Sequence, residues 1–324
     1  MSRIDLTGAP LPVRVLTLGE SMGAIRSEGG DLNSRQGHLS IAGSETNVSI
    51  GLARLGHRVT WIGVLGRDAF GDLVERTLCA ERVQPQVRRT DRSTGLVVFT
   101  EPLPRIVKVD YHRAGSAGST LGEDDVRRGW TPDTRLVHLT GVTAALGDGP
   151  QGALLEAIRL ARKHGAKVSF DVNYRQRLWP ISEAQETIHQ LALLSDIVFA
   201  SESELALASS ALDADESAVA RELLDAGVEE LVVTRGSRGA SCHTKVGSTH
   251  VDALTIREVD PIGAGDAFVA GYLSAFVEGR HVSTRLQRGA EAGAFAVARR
   301  GDWEGLPRPA DLALLREDVG ATLR

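Results

Sequence analysis

The stretch "RLVHLTGVTAALGDGPQGALLEAIRLARKHGAKVSFDVN", residues 135–173, carries the order of elements that decides the fold. It opens with a short apolar run, RLVHLTG (135–141), and closes with another, AKVSFDVN (166–173). Between them, 148–165 repeats apolar residues at a spacing near 3.6, the period of an amphipathic helix. The alternation continues outward on both sides. Strand-like runs recur at 13–19 (VRVLTLG), 59–66 (VTWIGVLG), 196–202 (DIVFASE) and 230–236 (ELVVTRG), with helical periods at 46–56 and 215–227. Continuous apolar strands separated by amphipathic helices imply a mostly parallel sheet covered on both faces, hence a three-layer, doubly wound α/β fold.

Two segments break the rhythm. AIRSEGGDLNSRQGHLSIAG (24–43) and STGLVVFTEPLPRIVKVDYHRAGSA (93–117) alternate polar and apolar residues and are rich in turn formers, without helical period. They predict a small antiparallel flap, assembled from about 22–43 and 93–117 and projecting from a single domain spanning 1–324. A flap of this kind serves as a cover over a site or as a surface for a second copy of the chain.

Composition narrows the function. The 324 residues are 42% hydrophobic and 24% charged, with 37 basic against 42 acidic side chains and a net charge of −5. Nucleic acid or an anionic membrane needs a concentrated basic face, so neither is the expected partner. Cys79 and Cys242 stand far apart, without the spacing of a zinc site or a disulfide framework. The first residues lack a continuous apolar core of a leader, and no apolar stretch reaches the ~18 residues of a membrane span. The expectation is a cytosolic protein.

The chemistry concentrates in "REVDPIGAGDAFVAGYLSAF" (257–276). ALTIREVDP (253–261) reads as a strand running into a turn. From Asp266 the chain reads as a helix with Phe268, Leu273 and Phe276 on its apolar face. Gly263, Ala264 and Gly265 thus precede a helix N-terminus, where unpaired N–H groups and the helix dipole favour an anion. No Gly-Lys-Ser/Thr follows, so this is not a Walker loop. A carboxylate beside such a turn suits removal of a proton from a hydroxyl attacking a phosphoryl group. A plain turn followed by a helix cap fits the same residues.

VDPIGAGDAFVAGYL (259–273) resembles the D-x-x-G-A-G-D signature of the ribokinase-like, or PfkB, carbohydrate kinases. AGSETNVSIGLARLGHRVTWIGVLGRDAFGD (42–72) resembles that family's second signature, a Gly-rich N-x-A segment followed by a strand and a G-x-D-x-F-G turn. The two stand about 200 residues apart in the family's order, and the resemblance covers nearly the whole chain. Within the family, YHRAGSAGSTL (111–121), FDVNYRQRLWP (170–180) and RRGDWEGLP (299–307) are most similar to kinases of 2-keto-3-deoxygluconate.

The resemblance implies the ribokinase-like fold with a small β-sheet lid, ATP and Mg2+ as cofactors, and a sugar-acid substrate. Homo-oligomers through the lid are the expected assembly. Asp266 would be the base, beside the amides of Gly263, Ala264 and Gly265. Gly43, Asn47, Tyr111, Arg113, Arg175 and Asp302 would line the sugar site; the two guanidinium groups suit a carboxylate. Asn173, Ser201, Thr234, Gly236, Gly239 and Glu291 would face the nucleotide, with Glu204 toward the metal.

Plainer readings stand beside these. Arg175 fits an exposed loop cation, with Arg177 as the alternative two residues on. Tyr111 fits packing within the flap, and Asp302 a surface pair with Arg299 or Arg300. The 230–242 segment fits a bare hairpin bent at its glycines. The chain departs from the family at Ser201, where Asn is common, at Ala42, at His112 and at Glu291. A kinase of a neutral sugar and a non-catalytic sensor on the same scaffold are the competing functions.

Overall fold

The computed structural model describes residues 14–28, 36–103 and 106–315. The N-terminal thirteen residues, and with them the reading of a missing leader, lie outside the described residues, as do 29–35 and 104–105 within the two flap segments. In chain order the first third runs β1 (Arg14–Leu18), β2 (Met22–Ser27), β3 (Gly37–Ala42), α1 (Ser44–Arg54), β4 (Arg58–Gly66), α2 (Ala69–Ala80), β5 (Val83–Thr90), β6 (Leu96–Leu103) and β7 (Ile106–His112). The middle holds α3 (Glu123–Gly129), β8 (Thr134–Thr140), α4 (Gly141–Ala144), α5 (Asp148–His164), β9 (Lys167–Asp171), α6 (Ile181–Leu193), β10 (Ile197–Ser201) and α7 (Glu216–Ala226). The last part holds β11 (Glu230–Thr234), β12 (Ala240–Thr244), β13 (Gly247–Val251), α8 (Ala264–Val277), α9 (Val282–Val297) and α10 (Pro309–Leu314).

Nine strands form the main sheet in the order β13-β12-β11-β10-β9-β8-β1-β4-β5. The seven from β11 to β5 are parallel to their neighbours, while β12 and β13 close the far edge as antiparallel hairpins. One face buries Ala153, Leu154 and Ala157 of α5 with Ile188 of α6 and Leu223 of α7. The other buries Val48 and Leu52 of α1 with Val74 of α2 and Leu273 of α8. α8 is buried along Ala267–Ala275, as its nearly all-round apolar or small sequence requires. From β1 the chain steps to β4 and β5, then returns on the other side through β8, β9, β10 and β11. The winding reverses between β1 and β8, the place where ligands of open α/β sheets gather at the strand C-terminal ends.

The two flap segments form a second sheet in the order β3-β2-β6-β7. It is mixed, not antiparallel: β2 and β6 pair in parallel. Both strands leave the main sheet in the same direction, one after β1 and one after β5, so where they meet they run side by side. Met22, Ala24, Ala42, Val97 and Phe99 make its inner face, packed against Ile262 of the glycine turn.

Two further expectations change. ALTIREVDP is not a strand; residues 255–259 are exposed, and the amides of Val259 and Asp260 bond to the Val297 carbonyl at the end of α9 (2.7 and 3.2 Å). The chain there leaves the sheet edge and crosses to α8, so its apolar residues have no ladder to join. Conversely β5, unforeseen, pairs with β4 at the other edge. Its sequence VQPQVRRT is polar and includes Pro85, features an edge strand tolerates.

Candidate active site

The C-terminal ends of the parallel strands face the small sheet across a cleft of about 430 Å3. The glycine turn forms one wall. Gly263 has φ 76°, and a β-carbon there would collide with the Asp302 carbonyl, so the position needs both a left-handed backbone and no side chain. The first amides of a helix have no intrahelical acceptor. The Ala264 amide closes a turn onto the Pro261 carbonyl (3.3 Å), so Gly263 and Gly265 are the turn residues that line the cleft, while Ala264 does not.

Asp266, on the first turn of α8, is half-buried. Its Oδ1 accepts from Ser44 Oγ (2.6 Å) and its Oδ2 from Asn47 Nδ2 (2.8 Å). Ser44 Oγ in turn accepts from Asn173 Nδ2 (2.8 Å). Burial raises the carboxyl above its ordinary range, opposed by the bonds from Ser44 and Asn47 and by the Arg175 charge. Asn47 therefore reaches the site by orienting Asp266. Ser44, which the sequence reading did not single out, does the same.

Asp302 stands opposite, on a loop tied down by Asp260. Asp260 accepts from the amides of Ile262 (3.1 Å) and Gly301 (3.3 Å) and pairs with Arg26 of β2 (3.0 Å). Burial, then the charges of Asp266 and Glu304, push Asp302 up to about 7. Arg300, a candidate partner for it, reaches Glu101 instead (3.1 Å).

Arg175 and Arg177 separate cleanly. Arg175 lines the cleft and interacts electrostatically with Asp171 and Asp266. Arg177 donates to the Val109 carbonyl of the small sheet (2.7 Å). Arg113 also lines the cleft, its guanidinium 5.7 Å from the Tyr111 ring, but its charge is paired with buried Glu20. Gly43, ahead of α1, completes this end; a β-carbon there would lie 2.7 Å from the Glu20 carbonyl.

At the other end stand Asn173, Ser201, Glu204 and Thr234, all on the C-terminal sides of β9, β10 and β11. Asn173 holds φ 35°, a strained angle for a residue with a side chain, and such strain gathers at functional positions. Ser201 donates to Glu204 Oε2 (2.6 Å), fixing the carboxylate. Asp171, also overlooked in the sequence, lies here with its pKa raised well above the ordinary range by burial and by the Glu204 and Asp266 charges. Gly236, Gly239 and Glu291 do not line the cleft. Gly239 bends the β11–β12 hairpin against Val251, and Glu291 accepts from Gln287 on α9 (3.1 Å).

Among the described residues no group of three or more His, Cys, Asp or Glu is arranged to hold a metal alone. The carboxylates facing the cleft (Glu20, Asp171, Glu204, Asp266, Asp302) outnumber its guanidinium groups (Arg113, Arg175). Carboxylate oxygens without His or Cys fit a hard cation such as Mg2+, which keeps water and shares phosphate oxygens instead of demanding a protein cage.

The model of the pfkB family carbohydrate kinases matches residues 14–309. The chain is 31% identical over 305 residues to 2-dehydro-3-deoxygluconokinase of Bacillus subtilis (strain 168), covering 92% of this chain and 94% of that one. It is 31% identical over 297 residues to 2-dehydro-3-deoxygalactonokinase of Haloferax volcanii, covering 90% and 93%. Among solved structures, a fructokinase from Xylella fastidiosa with bound ATP superposes with a TM-score of 0.83 at 25% identity, over 93% of this chain and 97% of the other. The glycine turn beside a half-buried carboxylate, the ribokinase-like layers and the match over nearly the whole length agree: this chain belongs to the pfkB family of carbohydrate kinases.

Proposed function

We propose that this kinase transfers the γ-phosphoryl group of ATP to the 6-hydroxyl of 2-keto-3-deoxy-D-gluconate, giving 2-keto-3-deoxy-6-phosphogluconate. The observation that carries the substrate is Arg175, which lines the cleft near Asp266 with its one described hydrogen bond a long one, to the Tyr174 carbonyl (3.4 Å). A guanidinium so placed suits the carboxylate of a sugar acid and has no counterpart in a neutral sugar. Both curated relatives described above carry names of kinases for keto-deoxy sugar acids, in support of the same class.

In the proposed mechanism Asp266 takes the proton of the acceptor hydroxyl as its oxygen attacks the γ-phosphorus. The new O–P bond forms as the bond to the β-phosphate breaks, and ADP leaves. Amides of Gly263 and Gly265 face the charge that develops on the transferring group, with Ala264 holding the turn. Ser44 and Asn47 keep the carboxylate aimed. Asp302, when ionised, accepts hydrogen bonds from sugar hydroxyls; Tyr111, Arg113 and Gly43 bound the sugar. Asn173, Ser201 and Thr234 meet the phosphates, with Gly236, Gly239 and Glu291 toward the outer parts of the nucleotide. Glu204 and Asp171 would hold Mg2+, which when bound neutralises charge on the β- and γ-phosphates. The small sheet acts as a lid that excludes water, the competing acceptor.

No helix among the described residues is long and apolar enough to cross a membrane; the setting proposed is the cytosol. A coupled assay of ADP release across sugar acids and neutral sugars tests the reading. Turnover on 2-keto-3-deoxygluconate well above that on fructose or ribose is expected, and preference for a neutral sugar would overturn it. Binding of ATP and sugar without turnover would instead indicate a sensor.

A further inference from the structure

The chain crosses between the main sheet and the small sheet four times: at 19–21 after β1, at 43 before α1, at 91–95 before β6, and at 113–117 after β7. All four crossings meet at one buried residue, Glu20: its side chain serves the crossings at 91–95 and 113–117, and its backbone carbonyl the one at 43. Its carboxylate pairs with Arg113 and accepts from Ser116 Oγ, both on the last crossing. At Gly95 a β-carbon would lie 2.9 Å from Glu20 Oε1, and at Gly118 it would collide with the Glu20 side chain. At Gly43 it would lie 2.7 Å from the Glu20 carbonyl. Backbone bonds stitch the same crossings together: Gly23 N to Gly95 O (2.9 Å) and Ala117 N to Ser93 O (2.8 Å).

A buried ion pair is a poor device for stability alone, because an apolar pair of similar volume is often as stable. What it supplies is a fixed geometry. Glu20 and Arg113 both line the acceptor end of the cleft, and neither lies at the phosphate end with Asn173 and Glu204. We infer that Glu20 is a positioning residue that sets the angle of the small sheet and presents Arg113 to the acceptor, so that acceptor affinity depends on it and nucleotide affinity does not. The Arg113 charge is then balanced within the protein, which leaves Arg175 as the cation for the charge of the substrate. The inference rests on the proposed sugar-acid site for what Arg113 meets.

The test compares wild type, Glu20→Gln and the double variant Glu20→Gln/Arg113→Met, all as full chains. Kinetics give KM for 2-keto-3-deoxygluconate and for ATP, and hydrogen exchange followed by mass spectrometry gives the protection of each sheet. Losing one partner of a buried charge pair is expected to raise the acceptor KM at least about tenfold. The ATP KM stays within about twofold, while exchange quickens in β2, β6 and β7 and not in β8–β11. The double variant, neutral at both positions, should regain protection of the small sheet without regaining acceptor affinity. An unchanged acceptor KM with unchanged exchange overturns the inference. So does a parallel rise of both KM values with faster exchange throughout, which marks a general scaffold role. If wild type turns over no sugar acid, the substrate reading fails, and the exchange comparison still decides the role of Glu20.

Discussion

A carboxylate at position 266 receives one hydrogen bond on each oxygen, from Ser44 and from Asn47. An amide there keeps one of them, sets a donor against the other and has no basic lone pair to offer. Asp266→Asn is therefore expected to lower turnover by ~10² or more while calorimetry finds ATP affinity retained; near-normal turnover would remove Asp266 as the base. Ser44→Ala takes away one of the bonds that hold the Asp266 pKa down, so the acidic limb of the kcat–pH profile should move to higher pH. A profile identical to wild type would show that Ser44 does not tune the base. Asp302, pushed up to about 7, is neutral in the folded state where an unfolded Asp is ionised. The folded chain then binds the extra proton, so this group's contribution to stability falls as pH rises from about 4 to 7, by at most ~1.4 kcal/mol per pH unit. Asp302→Asn should flatten that fall in Tm, measured by calorimetry between pH 5 and 8. It should also abolish any improvement in acceptor KM as pH rises through 7.

At the scale of elements, the glycine turn and the loop after β9 each place one functional group. Gly263→Ala forces a side chain into φ 76° and against the Asp302 carbonyl. Strain of roughly 1–3 kcal/mol is expected, with turnover falling by more than the melting temperature suggests, because the amides and Asp302 shift together. Full activity with an unchanged melt would mean that the turn is not constrained. On the β9 loop, Arg175→Ala should raise the acceptor KM by about tenfold or more and spare the ATP KM. Arg177→Ala, bonded to the Val109 carbonyl, should do far less to acceptor affinity. Equal effects of the two would contradict the placement of Arg175. Strands β1, β4, β8, β9, β10 and β11 and helices α1, α5, α7 and α8 could be read from the chain, because each carries its own apolar run or period. β5 escaped since an edge strand needs no apolar run. The false strand at 253–261 arose from apolar residues that the crossing to α8 leaves exposed.

At the scale of the molecule, the small sheet leaves Leu39 (65%), Leu103 (60%) and Ile106 (55%) exposed, and we propose that a second copy of the chain covers part of this sheet. Sedimentation is expected to find a homodimer, and Leu39→Asp/Ile106→Asp to shift it toward monomer; a wild-type monomer at micromolar concentration would reject this assembly. Local sequence determined the strand–helix alternation, hence the doubly wound sheet, and it also located the glycine turn and Asp266. Those features are written in residues adjacent along the chain, where periodicity and turn chemistry act. Tertiary structure alone decided that Ser44 and Asn47 orient Asp266, that Asp171 joins Glu204, that Arg175 and not Arg177 faces the cleft, and that Glu20 gathers the crossings. The Ser44 and Asn47 bonds to Asp266 span 222 and 219 residues. No local pattern encodes a contact over such a separation, because it exists only once independent elements have packed and brought their ends to the same side of the sheet.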